Sequence, residues 1–498
     1  MASWSPWENG IVHGTSKPVN LTAPSQVLEC ARSGESFPLW GGTLPLFAGP
    51  GAELGVFFRN HSLPVGFGTT VAMWAICYVC RHPAVMAPSW LLLSFMLFTM
   101  LAGGYVAGRA TGAGWRAGAA SASLTALLNL LILGSLLSND GAAGIAPSAL
   151  WWIPGSMAAC TFLGALGAAA GSGSRSLGES VHDWVAIFAK VAVAATLLLL
   201  VVGGLVTSAD AGLAVVDWPN SYGYNMFLYP LSRMTGGIYY EHAHRLFGSL
   251  VGLTTLGLAL YLKNNEARAW VRALGFAAFV LVVVQGILGG LRVTGRLTLS
   301  DSQLATSPNI YLAVVHGIVA QLFFSTLVAI ALFTSKAWKT SRPLPSRSAS
   351  VDRNLSFTLV AVLLMQLALG AAVRHLDAAL IPHAVLGGLL LPLAVIAGVR
   401  SLDPRPGAAP LRSTGFALIA VAHAQVLLGI AALIATRLFP TESPSTAALI
   451  LATAHQGMGA VFLGTSVTLA LLTARCRRRV SGETEGSVAG SPVTASAT

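Results

Sequence analysis

The chain has 498 residues, of which 54% are hydrophobic and only 9% charged, and its mean hydropathy is +0.70. That composition excludes a soluble enzyme of this length and points to an all-α polytopic membrane protein. The formal net charge of +11 does not point to nucleic acid, because the basic residues fall mainly in short loops and the C-terminal tail rather than on an aromatic-interleaved patch.

Apolar runs long enough to cross a hydrocarbon core predict twelve transmembrane helices. A polar, partly interfacial segment, 1–61, precedes them. Its start, Met1-Ala2-Ser3-Trp4, has no basic region leading into an apolar core, so no cleavable signal peptide is expected. A first membrane region, 62–180, holds spans at 63–80, 89–108, 118–138 and 149–171 and offers no candidate site, Arg109 and Asp140 reading as loop charges. A four-helix half, 181–335, follows with spans at 187–206, 243–262, 271–290 and 310–334. A basic linker, 336–354, leads to a second four-helix half, 355–475, with spans at 355–373, 380–399, 414–435 and 449–474, and a tail closes the chain at 476–498. The cysteines Cys30, Cys77, Cys80, Cys160 and Cys476 define no disulfide framework. Cys77 and Cys80 share an apolar run and read as buried structural residues rather than a metal or redox pair.

Lysine and arginine set the orientation. The linker carries Lys336, Lys339, Arg342, Arg347 and Arg353, and Arg475-Cys476-Arg477-Arg478-Arg479 closes the last helix, so both are expected in the cytoplasm. Twelve spans then place the N-terminus there as well, and the segment 207–242, whose one basic residue is Arg233, outside.

Four histidines stand out in this frame. His244 lies 19 residues from Lys263, His316 lies 20 from Lys336, His383 lies 17 from Arg400 and His455 lies 20 from Arg475. At about 1.5 Å per residue these are intervals of about 26–30 Å, so all four imidazoles are predicted in one layer toward the outer face. Ionisable groups at membrane depth are costly. A single such histidine commonly serves as a hydrogen-bonded packing residue, whereas four at matched depth favour haem, whose iron takes two axial imidazoles from facing helices.

An internal repeat accompanies them. Gln285-x3-Gly289, Gln366-x3-Gly370 and Gln425-x3-Gly429 each fall late in a helix, are followed by Arg292, Arg374 and Arg437, and precede a histidine-bearing helix. The first hairpin keeps Gly203-Gly204 but has Leu199 in the glutamine position. The glycines read as close-packing positions, and the arginines either snorkel to the interface or pair with haem propionates. His375 and His423 lack the register and read as local hydrogen-bonding residues, and His242 points away from His244 on its helix. Glu241 stands three residues before His244 and four before Arg245. It is either an ion-pair partner at a helix entrance or a carboxylate within reach of a ligand on His244, able to act as base or transient nucleophile.

These residues resemble the haem A synthase family. The resemblance rests on Gly203-Gly204, then Ala211-Gly212-Leu213-Ala214-Val215-Val216-Asp217-Trp218-Pro219, then Glu241-x-x-His244-Arg245. It continues through Leu288-Gly289-Gly290-Leu291-Arg292-Val293-Thr294 with His316, then His383 and Thr453-Ala454-His455-Gln456, and covers roughly residues 185–475. It implies an eight-helix core of two similar halves in which a ring methyl of haem O is oxidised to the formyl group of haem A. His244 and His316 would bracket the substrate haem, His383 and His455 would hold a bis-histidine haem b that passes electrons on, and Glu241 would be the catalytic carboxylate. Arg245, Arg292, Arg374 and Arg437 are the candidate propionate partners. Implied partners are haem O, an electron acceptor, haem O synthase and terminal-oxidase assembly factors, besides lipid, in a bacterial inner membrane.

The chain also departs from the family. Thr207 stands where an arginine often follows the double glycine, and 207–242 lacks the cysteine pair of many bacterial relatives. The four N-terminal spans have no counterpart in the eight-helix core. A di-haem cytochrome that only transfers electrons would keep the histidines without needing Glu241. Twelve helices and a repeat would also suit a transporter or haem-handling assembly factor.

Overall fold

Helices form wherever the apolar runs predict them. In the computed structural model, which describes residues 38–39, 42–43, 61–133, 146–174, 183–296, 307–438 and 444–479, twelve long helices are present. They are α1 (Ser62–Arg81), α2 (Ser89–Thr111), α3 (Trp115–Leu133), α4 (Ala149–Gly173), α5 (Trp184–Ser208), α6 (Gly236–Asn265), α7 (Ala269–Thr294), α8 (Ile310–Thr334), α9 (Ala349–Leu376), α10 (Leu380–Arg400), α11 (Ala409–Leu433) and α12 (Thr446–Cys476). All but α3 are long and apolar enough to cross a membrane. The chain divides into two units, Met1–Val56 and Phe57–Thr498. In the first, Pro38–Leu39 pairs antiparallel with Gly42–Thr43.

Local chemistry sets the ends of these helices. Asp183 caps α5 by accepting from the Ala186 amide at 3.2 Å, and Asn309 caps α8 by accepting from Tyr311 and Leu312 at 2.9 and 3.1 Å. Left-handed Gly112 and Gly295 end α2 and α7. Three expectations need correction. Arg109 lies in the last turn of α2 rather than in a loop, while Asp140 falls outside the described residues. The helix α6 begins at Gly236, well before 243, because Tyr239 and Tyr240 pack as aromatic bodies against α1 rather than ending the span as polar residues. Glu241 and His242 are therefore inside a helix, not at its entrance.

The N-terminal helices α2, α3 and α4 pack through small residues. The carbonyl oxygen of Gly164 lies so close to Gly104 of α2 and Gly118 of α3 that neither glycine has room for a methyl group, and Gly108 is pressed against Ala168 in the same way. Gly118→Leu is expected to lower the thermal midpoint of the detergent-solubilised protein, with a destabilisation of about 1–3 kcal/mol from overpacking. An unchanged midpoint would remove this seam from the account.

Helix α1 docks these helices onto the next half. Phe67 stacks on Phe188 at 5.4 Å, and Trp74 and Tyr78 meet Phe247 edge-on at 5.6 and 5.7 Å. The Tyr239 hydroxyl donates to the Tyr78 carbonyl at 2.5 Å, and Trp74 Nε1 donates to Asn129 Oδ1 of α3 at 3.1 Å. The helices α5–α8 and α9–α12 meet chiefly where α12 packs on α5 and α8; there Thr453 Oγ1 donates to Ser208 Oγ at 3.1 Å, and Gly464 lies under Phe324.

The linker and the start of the tail are more ordered than a free basic segment would be. Lys336–Thr340 forms one helical turn, and Leu344–Ser346 pairs in parallel with Arg477–Arg479. Arg477 is buried between two carboxylates, 2.9 Å from Asp403 and 3.7 Å from Asp352, and these also hold Arg405 and Arg400, each at 2.6 Å. The hydrogen-bonded Arg405 guanidinium draws the Asp403 carboxyl down to about 2. A carboxyl depressed from about 3.9 contributes stability above that value and loses it as pH falls toward the folded value. A nitroxide label at Ser346 should therefore stay immobile above about pH 4 and gain mobility between about pH 4 and 2. Mobility independent of pH across that window would exclude the clasp.

Candidate functional site

The four histidines come together as two pairs. His244 of α6 and His316 of α8 have ring centres 6.4 Å apart with planes at 82°, and His383 of α10 and His455 of α12 repeat the arrangement at 6.2 Å and 87°. Two metal–imidazole bonds of about 2 Å, plus about 1.2 Å from each ligating nitrogen to its ring centre, sum to roughly 6.4 Å. The spacing of both pairs thus fits one iron between them. Among the described residues no three or more His, Cys, Asp or Glu side chains are grouped to hold a metal ion. Two imidazoles suit a metal whose remaining positions are filled by a macrocycle.

Glycine is what seats the rings. A methyl group on Gly203 would stand 2.9 Å from His244 Cε1. The corresponding distances are 3.0 Å for Gly289 and His316, 3.0 Å for Gly370 and His383, and 2.8 Å for Gly429 and His455. Each imidazole therefore approaches the preceding helix closely, its Cε1 nearest, where a larger residue than glycine would displace it. The repeat was legible in the sequence, but it read only as close helix packing.

The carboxylate beside the first pair is tightly held. Glu241 is 4% exposed; its Oε2 accepts the Val215 amide at 2.9 Å and its Oε1 accepts Arg245 Nη2 at 2.8 Å. Arg245 then binds the carbonyls of Val215, Asp217 and Asn220 at 2.8, 2.6 and 2.9 Å. Asp217, fully buried, closes the same loop by accepting from the amides of Tyr222 and Gly223 at 2.7 and 2.8 Å. Trp218 packs directly on Gly290 of α7. The Asp-Trp-Pro loop is thus tied to α6 through Glu241 and Arg245 and to α7 through Gly290.

Residues 186–386 match the family model described as "Cytochrome oxidase assembly protein". Over this segment the chain resembles the haem A synthases. A "Heme A synthase" of an Exiguobacterium species is 26% identical over 201 residues, 40% of this chain and 60% of the relative. That of Lysinibacillus sphaericus is 26% identical over 200 residues, 39% and 59%. That of Orientia tsutsugamushi is 26% identical over 241 residues, 40% and 66%. The chain spans about 60% of the length of the first of these relatives. The family match takes in Glu241, His244, His316 and His383, and it ends before α11 and α12. His455 is tied to the other three by the repeat and the pairing geometry.

The arginines divide unevenly around this haem A synthase-like segment. Arg245, expected beside a propionate, instead commits its donors to Glu241 and the loop carbonyls. Arg292 lies against Gly212 above the first pair. Arg374, although it belongs to the second half, crosses to the first, donating to the Thr207 carbonyl and lying 3.2 Å from Asp210. Arg437, in a π-helical turn at Ile434–Leu438, pairs with Asp377 at 2.5 Å. Asp210 and Asp377 are mostly exposed, so another carboxylate can replace either.

The remaining histidines also separate. His423 bonds the Ile419 carbonyl at 2.7 Å, as a local residue should. His242 is bonded to Ser221 Oγ at 3.1 Å and packs 4.9 Å from Tyr229. His375 is different, having Arg292 and Arg374 as its charged neighbours and lying within electrostatic reach of His316. Its position after Arg374 was the only sequence signal for this. A groove of about 590 Å³, lined by Leu332, Arg412, Phe416 and Leu472 among others, lies at the far end of the bundle from the histidines.

Proposed function

We propose that this chain is a haem-dependent membrane oxidoreductase of the haem A synthase type, converting a ring methyl of haem O to the formyl group of haem A for terminal-oxidase assembly. The observation that carries the reading is the asymmetry between two like histidine pairs: a fixed carboxylate, Glu241, stands one helical turn before His244, and the second pair has no counterpart. The first half, 181–335, takes haem O between His244 and His316. In the second half, 355–475, haem b held by His383 and His455 supplies one-electron transfer.

Each group of the chain has a defined task in this scheme. Glu241, oriented by the Val215 amide and Arg245, accepts a proton from the reacting carbon or its attacking water. The loop under Trp218 excludes bulk water. Arg292, Arg374 and Arg437 receive propionates, the latter two by exchange for Asp210 and Asp377. Residues 62–180 brace α6 through α1. The chain is placed in a bacterial inner membrane with both termini cytoplasmic and the histidine layer outward. Its partners are haem O, an electron acceptor, and the haem O synthase and oxidase-assembly proteins that precede and follow it.

Mass spectrometry of haems extracted from a host that makes haem O, with and without the chain, tests this reading. Accumulation of haem A is expected. Bound haem with unconverted haem O would make the protein a di-haem cytochrome instead.

A further inference from the structure

The repeat places Leu199, Gln285, Gln366 and Gln425 one turn before the four glycines that seat the histidines. Three of these positions carry an amide, and each amide side chain reaches the histidine of the following helix. Gln285 Nε2 lies 3.0 Å from His316 Nδ1 and donates to the His316 carbonyl at 2.7 Å. Gln366 Nε2 donates to the His383 carbonyl at 2.8 Å. Gln425 Nε2 lies 3.5 Å from His455 Nε2, and its main-chain oxygen accepts from His455 Nδ1 at 3.2 Å. All three amide oxygens are buried without a partner among the described residues, and a half-turn of the Gln285 amide gives a protonated His316 Nδ1 an acceptor in exchange for the bond to the His316 carbonyl.

His244 has none of this. Leu199 offers only methyl groups, and His244 Nδ1 is buried with no hydrogen-bond partner among the described residues. His383 Nδ1 is also unpartnered, but Gln366, which donates to the His383 carbonyl, keeps an amide with a buried, unpartnered oxygen beside that histidine, which Leu199 cannot supply at His244. A hydrogen bond to the distal nitrogen of a ligating imidazole fixes its orientation and raises its basicity, and removing such a partner weakens metal affinity about 10- to 100-fold.

We propose that His244 is the weak, exchangeable axial ligand and that Leu199 keeps it so, while His316, tied by Gln285, retains its hold. The proposal rests on the haem reading above and adds a physical reason for it. A substrate haem must enter and leave, whereas a resident haem must not. Leu199 and Gln285 are positioning residues, acting only through the histidines.

Haem transfer from the full-length, detergent-solubilised protein loaded with haem b to excess apomyoglobin is the test, together with redox titration of the same samples. Two phases of loss are expected, the fast one from the first half. Leu199→Gln should slow the fast phase about 10- to 100-fold and lower the midpoint potential of that haem, since a stronger donor favours the ferric state. Leu199→Met, which lengthens the side chain without adding a donor, should leave both unchanged, and Gln285→Leu should quicken the fast phase. A loaded Leu199→Gln protein with native exchange rate and potential would overturn the proposal, as would native rates in Gln285→Leu. An unsubstituted chain that takes up no haem would overturn the haem reading itself.

Discussion

Glu241→Gln is expected to keep both histidine pairs loaded with haem and to lose conversion of haem O by about 10²- to 10⁴-fold, the usual contribution of a positioned proton-transfer group. Glutamine has nearly the same shape, so the helix and its packing under the loop survive. Its amide oxygen can still accept the Val215 amide, but the nitrogen then faces Arg245 Nη2, donor against donor, where the carboxylate accepted at 2.8 Å. The arginine keeps its three loop carbonyls, so the loop stays in place. Haem-to-protein ratio and haem A formed per chain, measured on one preparation, separate the two effects. Native conversion in this variant would remove Glu241 from the chemistry.

His455→Ala is the second large effect. Removing one of two imidazoles whose centres are 6.2 Å apart leaves His383 as the lone ligand. The six-coordinate haem of the second half should therefore be lost or become five-coordinate. The loss is local, because α12 is held by Ser208, Phe324 and the Arg477 clasp, none of which involves the ring. Adding free imidazole to the His455→Gly protein should restore the six-coordinate spectrum, which a merely structural histidine would not do. Unchanged haem content in His455→Ala would dissolve the second site.

How much of this was legible in the sequence depends on the range of the interactions concerned. Helix number follows from apolar length, a local feature, and reappears as α1–α12, and the four histidines set out by the repeat meet as two pairs. The division of His244, His316, His383 and His455 into pairs followed from the repeat. What holds Glu241 did not. Its partners include the amide of Val215, 26 residues upstream, and that contact depends on the path of a loop whose backbone direction no periodicity encodes. The same loop absorbs Arg245, which by position alone looked like a propionate partner. Arg374 and the tail were opaque for a related reason. Their partners, Thr207 and Asp210 for one and Asp352 and Asp403 for the other, lie across the interface between halves or in a different loop. The brace from α1 was hidden because tyrosines at a span's end count as polar in hydropathy and as aromatic bodies in packing.

Low-temperature electron paramagnetic resonance of the purified full-length chain during titration with haem b tests most directly whether the two histidine pairs build two iron sites. With ring planes at 82° and 87°, two successive low-spin signals are expected, each strongly anisotropic as near-perpendicular axial imidazoles require, with the earlier abolished in His383→Ala and the later in His316→Ala. A single low-spin signal, or high-spin iron at saturation, would contradict the two-site reading.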